Sequence, residues 1–154
     1  PTETDSDRRI AERLARIGNI SLDQLGKEIF SNALEDKASK DLFYTDYKEF
    51  HIAGHDLAVA QITCVDSPKM LQRKDEFLGL MKKAAEKEQY SMVLLMLTDV
   101  LMEGTQLVYV GSDDTIQQAF NEVPKDNAVF LPHVMSRKKQ IVPPLTEAGK
   151  MLKA

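Results

Sequence analysis

The chain has 154 residues, of which 43% are hydrophobic and 29% charged, with a formal net charge of −4. That balance fits one soluble globular domain able to bury a real core. It excludes a general nucleic-acid coat, which needs a basic excess, although a cleft can still focus a local field opposite to the net charge.

Cys64 is the one cysteine, so no internal disulfide forms, in keeping with a reducing cytoplasm. No run approaches the roughly 18 apolar residues of a membrane span, and PTETDSDRRI at the start lacks the apolar centre of a signal peptide. A soluble, cytoplasmic protein with no membrane partner is expected.

In chain order, DSDRRIAERLARIG sets Ile10, Leu14 and Ile17 at helical spacing, with Gly18 as a stop. A second helix is predicted from Ser21, where Ser21 and Gln24 suit a capping box and Leu22, Leu25, Ile29 and Phe30 form the apolar side. A short helical piece includes Lys40 to Phe43.

The period then changes to two. Phe50 and Ile52 alternate with polar neighbours, Ala53-Gly54-His55 reads as a hairpin turn, and Leu57 to Thr63 continues as a strand covered on both faces. Ser67-Pro68 opens a long helix to about Glu88, with Ser67 or Asp66 as cap and Met70, Leu71, Phe77, Leu78, Met81 and Ala85 as its apolar positions. SMVLLMLTDVL is the most apolar strand and is expected at the centre of the sheet.

TQLVYVG gives another strand, DDTIQQAF a helix, NAVFLP a further strand, and LTEAGKMLKA a terminal helix. Gly104 and Gly111 read as turn glycines. The order predicts an α/β fold: a single domain with a mixed β-sheet of about five strands flanked by helices, the antiparallel hairpin preceding more parallel-like pieces.

Chemistry is concentrated in HVMSRKKQIVPPL, where Arg137, Lys138 and Lys139 stand between apolar flanks. A guanidinium can hold two phosphate oxygens and an ammonium adds a point charge, and rigid flanks limit the entropy lost on closing around an anion. On charge pattern alone, a solvated basic turn is the simpler reading. Lys48 lies where a turn enters the first hairpin strand and by itself reads as an exposed lysine.

His51, His55 and His133 match no metal-ligand spacing. Asp99, closing the most apolar strand, suits a cap better than a catalytic role, and Cys64 has no adjacent base and reads as core. No Walker loop, nucleophile elbow or dinucleotide fingerprint is present.

Residues 136–148, SRKKQIVPPLTEA, resemble the C-terminal signature of the manganese-dependent (family II) inorganic pyrophosphatases. PTETDSD at the start, LGKEIF, DYKEFHI, QITCVD, RKDE and LLMLTDVL follow in the family's order, so the resemblance covers essentially the whole chain. It implies a C-terminal, substrate-binding domain over 8–154 after a linker remnant at 1–7.

The resemblance further implies that an N-terminal DHH domain, absent from this chain, binds Mn2+, with Co2+ or Mg2+ as alternatives, and that this chain holds no metal and is inactive alone. Arg137, Lys138 and Lys48 match the family's phosphate-binding cations, with Ser136, Lys139 and Gln140 in support. His133 stands where the family pattern implies a glycine. The implied ligands are pyrophosphate and phosphate, the implied partner is the DHH domain, and the fragment is expected to be monomeric. Two alternatives stay open: the second domain of a DHH-type exopolyphosphatase, and a non-catalytic module binding an anion or a partner.

Overall fold

The computed structural model describes residues 36–153, together with Leu25, Gly26, Ile29, Ala33 and Leu34. Two compact units are present, Pro1–Lys37 and Ala38–Ala154. In the first, the five described positions from Leu25 to Leu34 are helical, as the second predicted helix requires. The first predicted helix, the Ser21–Gln24 cap, Leu22, Phe30 and the linker lie outside the described residues.

The larger unit carries the sheet. Its elements are α1 (Ser39–Thr45), β1 (Tyr47–Ile52), β2 (His55–Cys64), α2 (Ser67–Leu71), α3 (Lys74–Glu88), β3 (Met92–Asp99), β4 (Gly104–Val110), α4 (Asp113–Phe120) and β5 (Ala128–Pro132). A π-helical turn, Arg137–Ile141, then runs straight into α5 (Val142–Lys153). The five strands lie in the order β1-β2-β3-β4-β5.

β3 is central as expected, and all of its residues are buried. The β1–β2 hairpin closes on Ala53 and Gly54, with Ile52 opposite His55 and φ of 51° and 83° at the two turn residues. Both lie in the left-handed region that a tight hairpin turn needs.

Three expectations are corrected. Only β2 and β3 pair in parallel; β3–β4 and β4–β5 are antiparallel. The four residues 100–103 cannot make the crossover that a parallel return requires. The long helix from Ser67 is two helices, broken at Gln72 and Arg73. Met70 in α2 and Phe77, Met81 and Ala84 in α3 are its buried apolar positions.

Gly104 is not a turn residue but opens β4 opposite Asp99 and Pro132. A Cβ there would lie 2.5 Å from Phe130 Cζ and 3.0 Å from Leu131 O, so the strands approach too closely for a side chain.

Alternation sorts the strands onto two faces. Val59, Leu94, Met96, Leu107 and Tyr109 join Ile116 of α4, Ile141 of the π turn and Leu145 of α5 in one core cluster. The opposite face, with Ala58, Ala60, Val93, Leu95 and Val108 all fully buried, lies under α1, α2 and α3. Phe50 and Ile52 belong to the first face, so Lys48, two residues earlier on β1, shares it with the π turn.

Candidate anion-binding site

The site grows from the segment joining β5 to the π turn. Gln140 turns inward and staples its own loop: Oε1 accepts from Met135 N at 2.8 Å and Ser136 N at 3.0 Å, while Nε2 donates to His133 O at 2.9 Å. Ser136 caps the turn, its hydroxyl accepting from Lys139 N at 3.2 Å. These two residues of the predicted supporting set therefore shape the loop.

Strand side chains grip the same loop from below. Gln61 Nε2 donates to Met135 O, Thr105 Oγ1 donates to Val134 O, and Thr98 Oγ1 lies 3.1 Å from Thr105 Oγ1. Sequence reasoning missed this row; a polar glutamine inside the apolar run AVAQIT was its one signal.

Arg137 is buried, with 8% of its surface exposed. Its Nη1 donates to Asp46 O at 2.9 Å and to Val59 O at 3.1 Å, and its Nη2 donates to Asp46 Oδ1 at 2.7 Å. Lys48 pairs with Val59 across the hairpin, so Arg137 hydrogen-bonds at the β1–β2 rung that carries Lys48. Lys138 and Lys139 follow Arg137 in the π turn and are exposed, as is Lys48. Among the described residues, the ammonium groups of Lys48, Lys138 and Lys139 have no hydrogen-bond or ion-pair partner.

The arrangement thus contains one buried, carboxylate-paired guanidinium beside unpaired ammonium groups. It can attract and orient an oxyanion. π-Helical turns concentrate at functional sites because they re-aim side chains that an α-helix would space evenly. Asp46 was also missed by sequence reasoning, though it stands two residues before Lys48.

The remaining candidates take simpler roles. Asp99 Oδ2 accepts from Ser67 N at 2.8 Å, and its Oδ1 accepts from Leu101 N at 3.0 Å and Met102 N at 2.9 Å. Burial would raise its pKa, but these N–H donors outweigh burial and hold it below the ordinary carboxylate value. Burial pushes the Cys64 thiol up to about 12.

His51 Nδ1 is 2.6 Å from Asp56 Oδ1, and His55 Nδ1 is 3.0 Å from Ser91 Oγ. Among the described residues, no group of three His, Cys, Asp or Glu side chains could hold a metal ion. No helix of the described residues is long and apolar enough to cross a membrane.

A five-stranded mixed sheet, with Lys48 on its edge strand β1 and Arg137 to Lys139 on the π turn after β5, defines a class: an α/β domain with cations on one face of the sheet. The family model described as the DHHA2 domain matches residues 28–148, and the chain belongs to that family. It is 40% identical over 153 residues to a probable manganese-dependent inorganic pyrophosphatase of Lactobacillus helveticus, covering 96% of this chain and 49% of that protein. It is 37% identical over 150 residues to the cobalt-dependent inorganic pyrophosphatase of Clostridium perfringens, with 96% and 27% covered.

A crystal structure from Methanococcus jannaschii, assigned to the family II inorganic pyrophosphatases, superposes with a TM-score of 0.73 at 31% identity. The match covers 97% of this chain and 50% of that one. The chain spans about half the length of the curated manganese-dependent relatives it matches.

Proposed function

We propose that this domain binds the phosphate groups of inorganic pyrophosphate, as the C-terminal half of a metal-dependent, cytoplasmic inorganic pyrophosphatase. The observation that carries the reading is the hydrogen bond of Arg137 to Val59 O, on the rung that carries Lys48, with Lys138 in the same π turn as Arg137. Residues 8–154 make up the substrate-binding domain and residues 1–7 a linker to an N-terminal, metal-bearing half. The names of the relatives, manganese-dependent and cobalt-dependent, support a divalent cation there.

Pyrophosphate opposes attack because its phosphorus atoms are ringed by oxyanions. Metal ions, if held by the N-terminal half, would supply an activated water by lowering its pKa. Lys48, Lys138 and Arg137 neutralise charge on the phosphate under attack and on the leaving phosphate. Lys139 adds to the local field, while Ser136 and Gln140 hold the turn in shape. Carrying the cations on a separate domain lets closure complete the site and exclude water, and reopening releases phosphate.

The test is titration of this chain with inorganic pyrophosphate, followed by heteronuclear NMR. Wild-type protein binds with shifts confined to β1 and the π turn, and Lys138→Ala and Lys48→Ala each weaken binding by roughly 3- to 10-fold. Absence of binding by the wild-type chain, or binding indifferent to both substitutions, overturns the reading. The chain alone does not hydrolyse pyrophosphate with Mn2+ present; turnover by the pure chain counts against a role as half of the catalyst.

A further inference from the structure

We infer that Asp46 is a positioning residue for Arg137, holding the guanidinium so that one bidentate edge faces an incoming phosphate. The inference rests on the proposed pyrophosphate reading and adds to it a residue and an orientation. A guanidinium carries five N–H groups. Three are engaged: both on Nη1, by Asp46 O and Val59 O, and one on Nη2, by Asp46 Oδ1. Two remain, on Nε and Nη2.

The acceptors from Asp46 straddle Nη1 and Nη2, which places them along the end of the fork. The two free N–H groups then lie side by side along its flank. That flank is the planar pair that matches two oxygens of a phosphate. Among the described residues no fully buried side-chain nitrogen lacks a partner. Nε makes no hydrogen bond, so it is not sealed from solvent, although Arg137 as a whole is buried.

Asp46 is suited to the task because its backbone is fixed. Its carbonyl, besides accepting from Arg137, accepts from Gln61 N at 3.0 Å, which locks the start of β1 against β2. Its carboxylate is about half exposed (48%) and sits at the rim, next to that flank. Replacing the carboxylate by a methyl group removes one of the three restraints and the counter-charge of a buried cation. Replacing it by an amide keeps an oxygen acceptor in the same place.

The test compares Asp46→Ala, Asp46→Asn and Arg137→Ala in pyrophosphate titrations of this chain, with the Arg137 Nε–H resonance as the signature. In wild type that resonance shifts on adding pyrophosphate. Asp46→Ala weakens binding about 10-fold or more, whereas Asp46→Asn stays within about 3-fold of wild type and keeps the shift. The double variant Asp46→Ala/Arg137→Ala binds no more weakly than Arg137→Ala, because the aspartate acts through the arginine.

Equal or tighter binding by Asp46→Ala overturns the inference, and so does a full additive loss in the double variant. Both leave the proposed function standing. Asp46→Asn folds with its hydrogen bond kept; if it loses the Nε–H shift, the orientation is likewise refuted. No binding by the wild-type chain removes the proposed function, and this inference with it.

Discussion

Gln61 ties the sheet to the cationic loop through Thr98: its Nε2 donates to Thr98 Oγ1 at 3.0 Å and to Met135 O at 3.1 Å. Both hydrogens of one amide are thereby used, one within the sheet and one on the loop that launches the π turn. Gln61→Leu keeps the bulk and removes both bonds, leaving Met135 O without this partner. Stability should fall by about 1–3 kcal/mol, as a lower urea midpoint with an unchanged slope. An unchanged midpoint would mean that the loop is held by Thr105 and Gln140 alone.

Asp99 makes the fold acid-sensitive. Three backbone N–H groups bind its carboxylate and depress its pKa despite burial. A depressed folded pKa gives stability that is whole above the unfolded value of about 3.9 and is lost as pH falls through the folded value. Asp99→Asn keeps one acceptor but turns an N–H group toward Ser67 N, at a cost of roughly 2–3 kcal/mol near pH 7. The gap between the unfolding free energies of wild type and variant should begin to narrow as pH falls below about 4 and should close only below the depressed folded pKa. A gap that stays constant down to pH 3 rules out the carboxylate as its source.

Cys64 offers a check on the packing of the face beneath α2 and α3. Burial raises its thiol to about 12, with the Asp99 carboxylate adding to the effect. Thiolate is the species that alkylates, so iodoacetamide at pH 8 should leave the native protein almost untouched. Unfolding in guanidinium should speed the reaction at least roughly 100-fold, as the thiol returns to its ordinary pKa. Similar rates in both states would mean that β2 opens readily at its C-terminal end.

What was legible in the sequence follows from how local each signal is. β3 showed itself because MVLLML is an unbroken apolar run closed by Asp99, and the hairpin because Gly54 suits a turn with positive φ. The antiparallel return of β4 was obscured: apolar strands look alike whichever way they run, and the four-residue link was the only clue. The helix break at Gln72 carries no proline or glycine and was invisible. Within the candidate site, Arg137 and Lys138 were singled out by their motif. The burial of Arg137 was not, because its partner Asp46 lies 91 residues away in sequence. Long-range pairing decides which N–H groups of Arg137 are engaged inside the domain and which stay free.

His133 separates backbone from side chain at the site's root. Its φ of 63° lies in the left-handed region, and its N–H donates to Glu103 O at 2.8 Å, anchoring the loop after β5 to the β3–β4 turn. The resemblance implies a glycine at this position, and glycine adopts this conformation without cost. Histidine is among the residues that tolerate it, whereas a β-branched side chain suffers about 1–2 kcal/mol of steric cost there. His133→Gly should therefore hold stability within about 1 kcal/mol of wild type, and His133→Val should lose at least that much. If the imidazole contributes only conformation, His133→Gly binds pyrophosphate as wild type does. A several-fold loss of binding in the glycine variant, with stability intact, would instead give the ring a direct part in holding the anion.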